Sequence, residues 1–98
     1  MRKFEVTLTF KPRSVESVSV RNVFIKQQKV LDVELDDESC ISPEQFCDNV
    51  LKVNERTDIV RMNIKENFSA NKHPLHWLSE HFGRIYFYNG IPIVFHRN

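Results

Sequence analysis

Near the end of the chain, Asn89-Gly90 stands between two runs rich in β-forming residues, Arg84-Ile85-Tyr86-Phe87-Tyr88 and Ile91-Pro92-Ile93-Val94-Phe95. A two-residue type I′ turn needs positive φ at both central positions, which Asn and Gly tolerate, so the pattern predicts a β-hairpin. The turn length also sets the register: Tyr88 opposite Ile91, Phe87 opposite Pro92, Tyr86 opposite Ile93 and Ile85 opposite Val94. One face then carries Ile85, Phe87, Pro92 and Val94. The other carries Tyr86, Tyr88, Ile91, Ile93 and Phe95. Both faces are apolar, yet helices on one side of a sheet cover only one, so the other is either a second core or an interaction patch. Tyrosine suits surfaces that are apolar in body and wet at the tip. That points to Tyr86, Tyr88, Ile91, Ile93 and Phe95 as the partner-binding face. Pro92, with no N–H to donate, fits an edge strand.

The other elements read from periodicity. Phe4, Val6, Leu8 and Phe10 alternate strictly with Glu5, Thr7 and Thr9, which predicts a half-buried strand. Lys11-Pro12-Arg13-Ser14 reads as a turn. Residues 17–27 read as a second strand whose alternation slips, through either a bulge near Arg21-Asn22 or burial of both faces near one end. Residues 30–36 read as a third, with Leu31, Val33 and Leu35 inward and Asp32, Glu34 and Asp36 outward. Ser42-Pro43-Glu44-Gln45 is a helix start with capping-box spacing, followed by the stripe Phe46, Cys47, Val50, Leu51 to about residue 52 or 53. Residues 58–65 alternate again, with Val60, Met62 and Ile64 on one face. Pro74 to Phe82 reads as a short helix closed by Gly83. The expectation is therefore a single α+β domain over 1–98, in the order β-β-β-α-β-α-β-β. It comprises a mainly antiparallel sheet of five to six strands with two short helices packed on one face.

Charge is balanced overall, with 14 Lys+Arg against 13 Asp+Glu. It is unevenly laid out, however. Residues 1–29 hold seven basic and two acidic groups, 30–48 hold seven acidic and none basic, and 49–98 hold seven basic and four acidic. A net charge of +1 argues against a dedicated sequence-independent nucleic-acid binder. The blocks either pair across neighbouring strands or make a dipolar surface that steers a charged partner.

Motifs for chemistry are sparse. Cys40 and Cys47, with six residues between them, match neither a redox CxxC pair nor a zinc knuckle. His76 and His81 do not share a helix face, and His76 with Glu80 alone makes a weak metal site. With only two glycines, Gly83 and Gly90, there is no phosphate-cradling loop. The run Arg84–Tyr88 lacks the glycines of an RNA-recognition strand, though Tyr86 and Tyr88 could stack on bases. The acidic strip Asp32, Glu34 and Asp36 could dock on a basic partner. No signal peptide or membrane span is seen, which sets the expectation of a cytoplasmic protein without membrane contact.

These readings converge on a small stand-alone binding protein, acting by protein–protein contact through the hairpin face, the acidic strip, or both. Such a protein can serve as an inhibitor or modulator of a larger machine, of the type encoded by phages and mobile elements. A homodimer through the C-terminal hairpin is a further form of the same reading. The alternative is a nucleic-acid-binding module using the basic N-terminal strands with Tyr86 and Tyr88. No cofactor, metal or catalytic residue is expected; a small hydrolase using His73, His76 or His81 ranks last.

Overall fold

Strict alternation at Phe4–Phe10 becomes a strand, but one that runs well past the expected turn. In a computed structural model, which describes residues 2–16, 22–52, 57–67, 73 and 75–96 (backbone alone for 13–16 and 22–26), β1 spans Arg2–Glu16 and β2 spans Asn22–Leu35. They pair antiparallel from Arg2↔Leu35 to Glu16↔Asn22. The expected turn at 11–14 is instead a bulge. Phe10 pairs with Gln27 and Arg13 with Ile25, so Lys11 and Pro12 together face Lys26 alone. A bulge is where a strand tolerates a proline, because no ladder donor is required there. The slip in alternation near Arg21-Asn22 is not a bulge at Asn22, which pairs in register with Glu16. Residues 17–21 of that expected strand lie outside the described residues. The segments expected as two strands, 17–27 and 30–36, form one strand over Asn22–Leu35. The polar run Gln27-Gln28-Lys29 looks like a break in the sequence, but the backbone ladder against Leu8–Phe10 does not depend on side-chain polarity.

Helix α1 (Pro43–Lys52), strand β3 (Ile59–Glu66), helix α2 (His76–His81) and strands β4 (Ile85–Tyr88) and β5 (Ile91–His96) complete the chain. The element order is thus β-β-α-β-α-β-β. The five strands lie in the spatial order β2-β1-β3-β5-β4. Three pairings are antiparallel and β3–β5 is parallel, so the sheet is mixed rather than mainly antiparallel. The hairpin forms as expected, with Asn89 at φ 48°, Gly90 at φ 79°, and every cross-strand pair in the anticipated register. Its placement is different. β5 is an interior strand and β4 the edge, which corrects the reading of Pro92. In a two-residue hairpin the pair next to the turn exchanges both hydrogen bonds, so Pro92, one pair further, turns its nitrogen away from β4. On its other side the β3 ladder begins only at Ile93. No donor is missed.

Both helices cover one side of the sheet. Phe4, Val6, Leu8 and Phe10 of β1, Met62 and Ile64 of β3, and Ile93 and Phe95 of β5 are buried against Phe46, Cys47 and Val50 of α1 and Leu78 of α2. Burial of each of these large side chains contributes about 1.5–3 kcal/mol. A second bulge corrects the expected face of β3. Thr9 pairs with Arg61 and Phe10 with Ile59, so Val60 is displaced outward (42% exposed) and Ile59 takes its place in the core. The start of α1 is held as its sequence implies: the Gln45 N–H donates to Ser42 Oγ at 3.1 Å, and Gln45 Oε1 accepts from the Ile41 N–H at 2.8 Å. α2 is shorter than expected and begins at His76, with Leu75 as a cap that offers no side-chain acceptor. Pro74 lies outside the described residues. Gly83 takes the expected positive φ of 74° after it.

A helix-free sheet face as the candidate functional site

Because β-strands alternate, the residues between the core positions all point to the opposite side of the sheet. The registers order them into rows across the strands. Ile85, Val94, Asn63, Thr7 and Val30 form one row, and His96, Lys65, Glu5 and Asp32 form the next. No helix of the described residues covers this side. Its β4–β5 end is apolar: Ile85 is 59% and Phe87 65% exposed, with Pro92 and Val94 half-buried beside them. Its β1–β2 end is charged. There Lys3, Glu5, Asp32, Glu34, Lys65 and Asn67 border an open concavity of about 520 Å³.

The hairpin face expected to meet a partner is packed against the helices and the core instead. Ile93 and Phe95 are fully buried, and Tyr86, Tyr88 and Ile91 are half-buried against the core. The tyrosines do have one wet end, but it serves the fold. The Tyr88 hydroxyl donates to Asp48 Oδ1 on α1. The Tyr86 ring meets His81 edge-on at 5.5 Å, and its hydroxyl is held protonated by burial, with the acidic groups of α1 adding to the shift. The exposed apolar pair of the hairpin is Ile85 and Phe87 instead.

The acidic strip divides. Asp32 and Glu34 are exposed on the helix-free face, as read from the sequence. Glu34 pairs with Lys3 at 3.5 Å, whereas Asp32 stands directly opposite Glu5, a like charge. Asp36 lies beyond the strand and accepts from the Ser39 N–H at 3.1 Å, capping the 3-10 turn Asp37–Cys40. Charge pairing across strands thus accounts for only part of the acidic block. Of the rest, Asp37 lies past the end of β2 and meets Arg2 of the basic first block at 2.8 Å.

Arg2 organises that acidic end, and nothing in the sequence marked it. Its side chain reaches Asp37 Oδ1 at 2.8 Å and the buried Glu66 Oε1 at 3.3 Å, and also donates to the His73 carbonyl. It ties the start of β1 to the end of β3 and the approach to α2. Trp77 adds a second tie by donating from Nε1 to the Cys40 carbonyl at 2.7 Å.

The side chains with catalytic or ligating chemistry are dispersed. Burial pushes the Cys40 thiol up to about 11, with nearby Arg2 opposing the rise, and the Cys47 thiol up to about 12, so both are thiols rather than thiolates at neutral pH. His81 lies among the rings of Trp77, Tyr86 and Phe95, His96 Nε2 is 2.8 Å from Asn63 Oδ1, and exposed His76 is 3.7 Å from Glu80. Among the described residues no three His, Cys, Asp or Glu side chains converge as metal ligands, and no helix is long and apolar enough to cross a membrane. No family model, curated protein or solved structure matches the chain.

Proposed function

We propose that this chain is a binding protein that works by protein–protein contact through the helix-free face of its sheet. The observation that carries the reading is the exposure of Ile85 (59%) and Phe87 (65%) on a side that no described helix covers. Two large apolar side chains, extended by Pro92 and Val94, supply the desolvated centre of an interface, and the charged rows around Asp32 and Glu34 supply its polar rim. A partner seated there meets an apolar end and a charged end, which sets its orientation. Action by occupation suits an inhibitor or modulator of a larger assembly.

The test is capture of partners by the tagged, nuclease-treated chain from the cells that produce it, read by mass spectrometry. Ile85→Ser with Phe87→Ser is expected to abolish capture while circular dichroism stays unchanged, since neither side chain belongs to the core. Asp32→Lys with Glu34→Lys is expected to weaken it. Undiminished capture by the serine double variant refutes the reading.

A further inference from the structure

We propose that the outer edge of β4 joins a second copy of this chain, strand to strand, so that two five-stranded sheets become one continuous sheet. The inference goes beyond the partner-contact reading and stands without it, because backbone groups at the sheet's edge make the join, not its face. Of the sheet's two edges, β2 carries exposed Lys29, Asp32 and Glu34, charges of the kind that keep a stray strand away. β4 reads Ile85-Tyr86-Phe87-Tyr88, with no charge, proline or bulge along it. Among the described residues no strand pairs with its outer side. Its backbone is also in the right phase. Tyr88 and Tyr86 pair with Ile91 and Ile93 and turn their N–H and C=O toward β5, so those of Ile85 and Phe87 point to the open edge. The two residues with outward backbone groups are the same two whose apolar side chains are exposed.

The strand itself sets the register and favours pairing with its own copy. Left-handed residues, Gly83 (φ 74°) and Asn89 (φ 48°), close the extended stretch at both ends. Two identical antiparallel strands are related by a two-fold axis normal to the sheet, which passes between equivalent residues. Centred on Tyr86, that axis sets Ile85 against Phe87 of the second copy, and Phe87 against its Ile85. Each of these pairs exchanges both backbone hydrogen bonds, since every residue in them has outward-pointing groups. Centred on Ile85 or on Phe87, the axis opposes strand residues to Gly83 or Asn89, whose backbones are not extended. The Tyr86 register also places Arg84 opposite Tyr88 of the second copy, so no like charges meet. Ile85 and Phe87 of the two copies then lie side by side on the helix-free face, each covering part of the other. A strand of four residues makes a small interface, so the dimer belongs to the weak, concentration-dependent class.

The experiment is sedimentation equilibrium of the full chain from about 1 μM to about 1 mM, a range that covers weak association. Reversible monomer–dimer exchange is expected. Phe87→Pro removes an outward N–H and no bond to β5, so it is expected to leave circular dichroism unchanged and to weaken the dimer at least about tenfold. Two further variants read the register. Ile85→Lys with Phe87→Lys opposes like charges in both pairs, whereas Ile85→Lys with Phe87→Glu opposes unlike ones. The second is expected to dimerise at least about tenfold more tightly than the first. It also lacks the apolar pair, so it is expected to dimerise while failing to capture a partner, which separates failure of this proposal from failure of the partner-contact reading. A chain that stays monomeric to about 1 mM overturns the proposal, in favour of another protein's strand or a bare edge. Equal association by the two charged variants overturns it, in favour of apolar faces packed against each other. A dimer untouched by Phe87→Pro overturns it as well.

Discussion

The protein contains two hairpins that are built on different physics. The β4–β5 hairpin turns through two residues, Asn89 and Gly90, and the turn dictates every pair that follows. The β1–β2 hairpin has strands of 15 and 14 residues, and its register changes part-way, at a bulge holding Pro12. In the short hairpin, local backbone geometry decides the pairing, and the tertiary structure decides only which face is buried. In the long one, pairing is decided by what β1 meets on its other side. Its first part is clamped by β3 and the helices, while among the described residues its last part pairs with β2 alone. The lesson is that turn chemistry transmits register reliably over about four residues; beyond that, packing governs.

The largest expected effect comes from removing the anchor that docks the short hairpin. Phe95→Ala empties a site 1% exposed, with Trp77 and His81 rings against it, and is expected to cost about 3–5 kcal/mol in urea unfolding. A loss below 1 kcal/mol would show that the hairpin does not dock through this side chain.

Next is the closed end of the long hairpin. Arg2→Ala strips the guanidinium from the buried Glu66 and is expected to cost about 3 kcal/mol by the same measurement. An unchanged midpoint would mean that the Arg2 cluster is not what holds β1 to β3.

The two turns then separate cleanly. Gly90→Ala meets no atom within 4 Å, so its whole cost is the positive φ of 79°, about 1–2 kcal/mol. Pro12→Ala, at the bulge, is expected to change stability by less than about 0.5 kcal/mol. A larger loss for Pro12 than for Gly90 would reverse the distinction drawn between the hairpins. An equally small effect is expected of Phe87→Ala. At 65% exposure it is expected to leave stability within about 0.5 kcal/mol of the parent, although its neighbour across the strand, Pro92, is half-buried. A loss above 2 kcal/mol would show that something in the protein itself covers that face.

How much was legible follows from the range of each interaction. Alternation in β1 from Phe4 to Phe10, the capped start of α1, the Gly83 and Gly90 conformations and the whole β4–β5 register were readable, because each depends on residues within a few positions of one another. The polar stretch Gln27–Lys29 misled, since a strand paired on its backbone can continue through residues that contribute nothing to the core. Val60 misled for a related reason: the bulge that moves it outward and Ile59 inward is visible only against β1.

The candidate site was half legible. The hairpin's two faces were sorted correctly, and Asp32 and Glu34 were rightly placed outward. The face carrying the tyrosines is the buried one: tyrosine reads as a surface signal in the sequence, but Tyr88 satisfies its hydroxyl on Asp48 of α1. No local pattern announces a partner 40 residues away in the chain. The same applies to Arg2, whose acidic contacts lie 35 and 64 residues distant.

By itself, then, the sequence determined most of the elements and most of their inner and outer faces, since periodicity and turn chemistry act within a single segment. Only the tertiary structure decided that β5 enters the sheet beside β3 and leaves β4 at the edge. It alone placed the described helices on the Tyr86–Phe95 side, which left Ile85 and Phe87 exposed. Those outcomes depend on which apolar surfaces find one another across long stretches of chain, and burial is a property of the assembled whole.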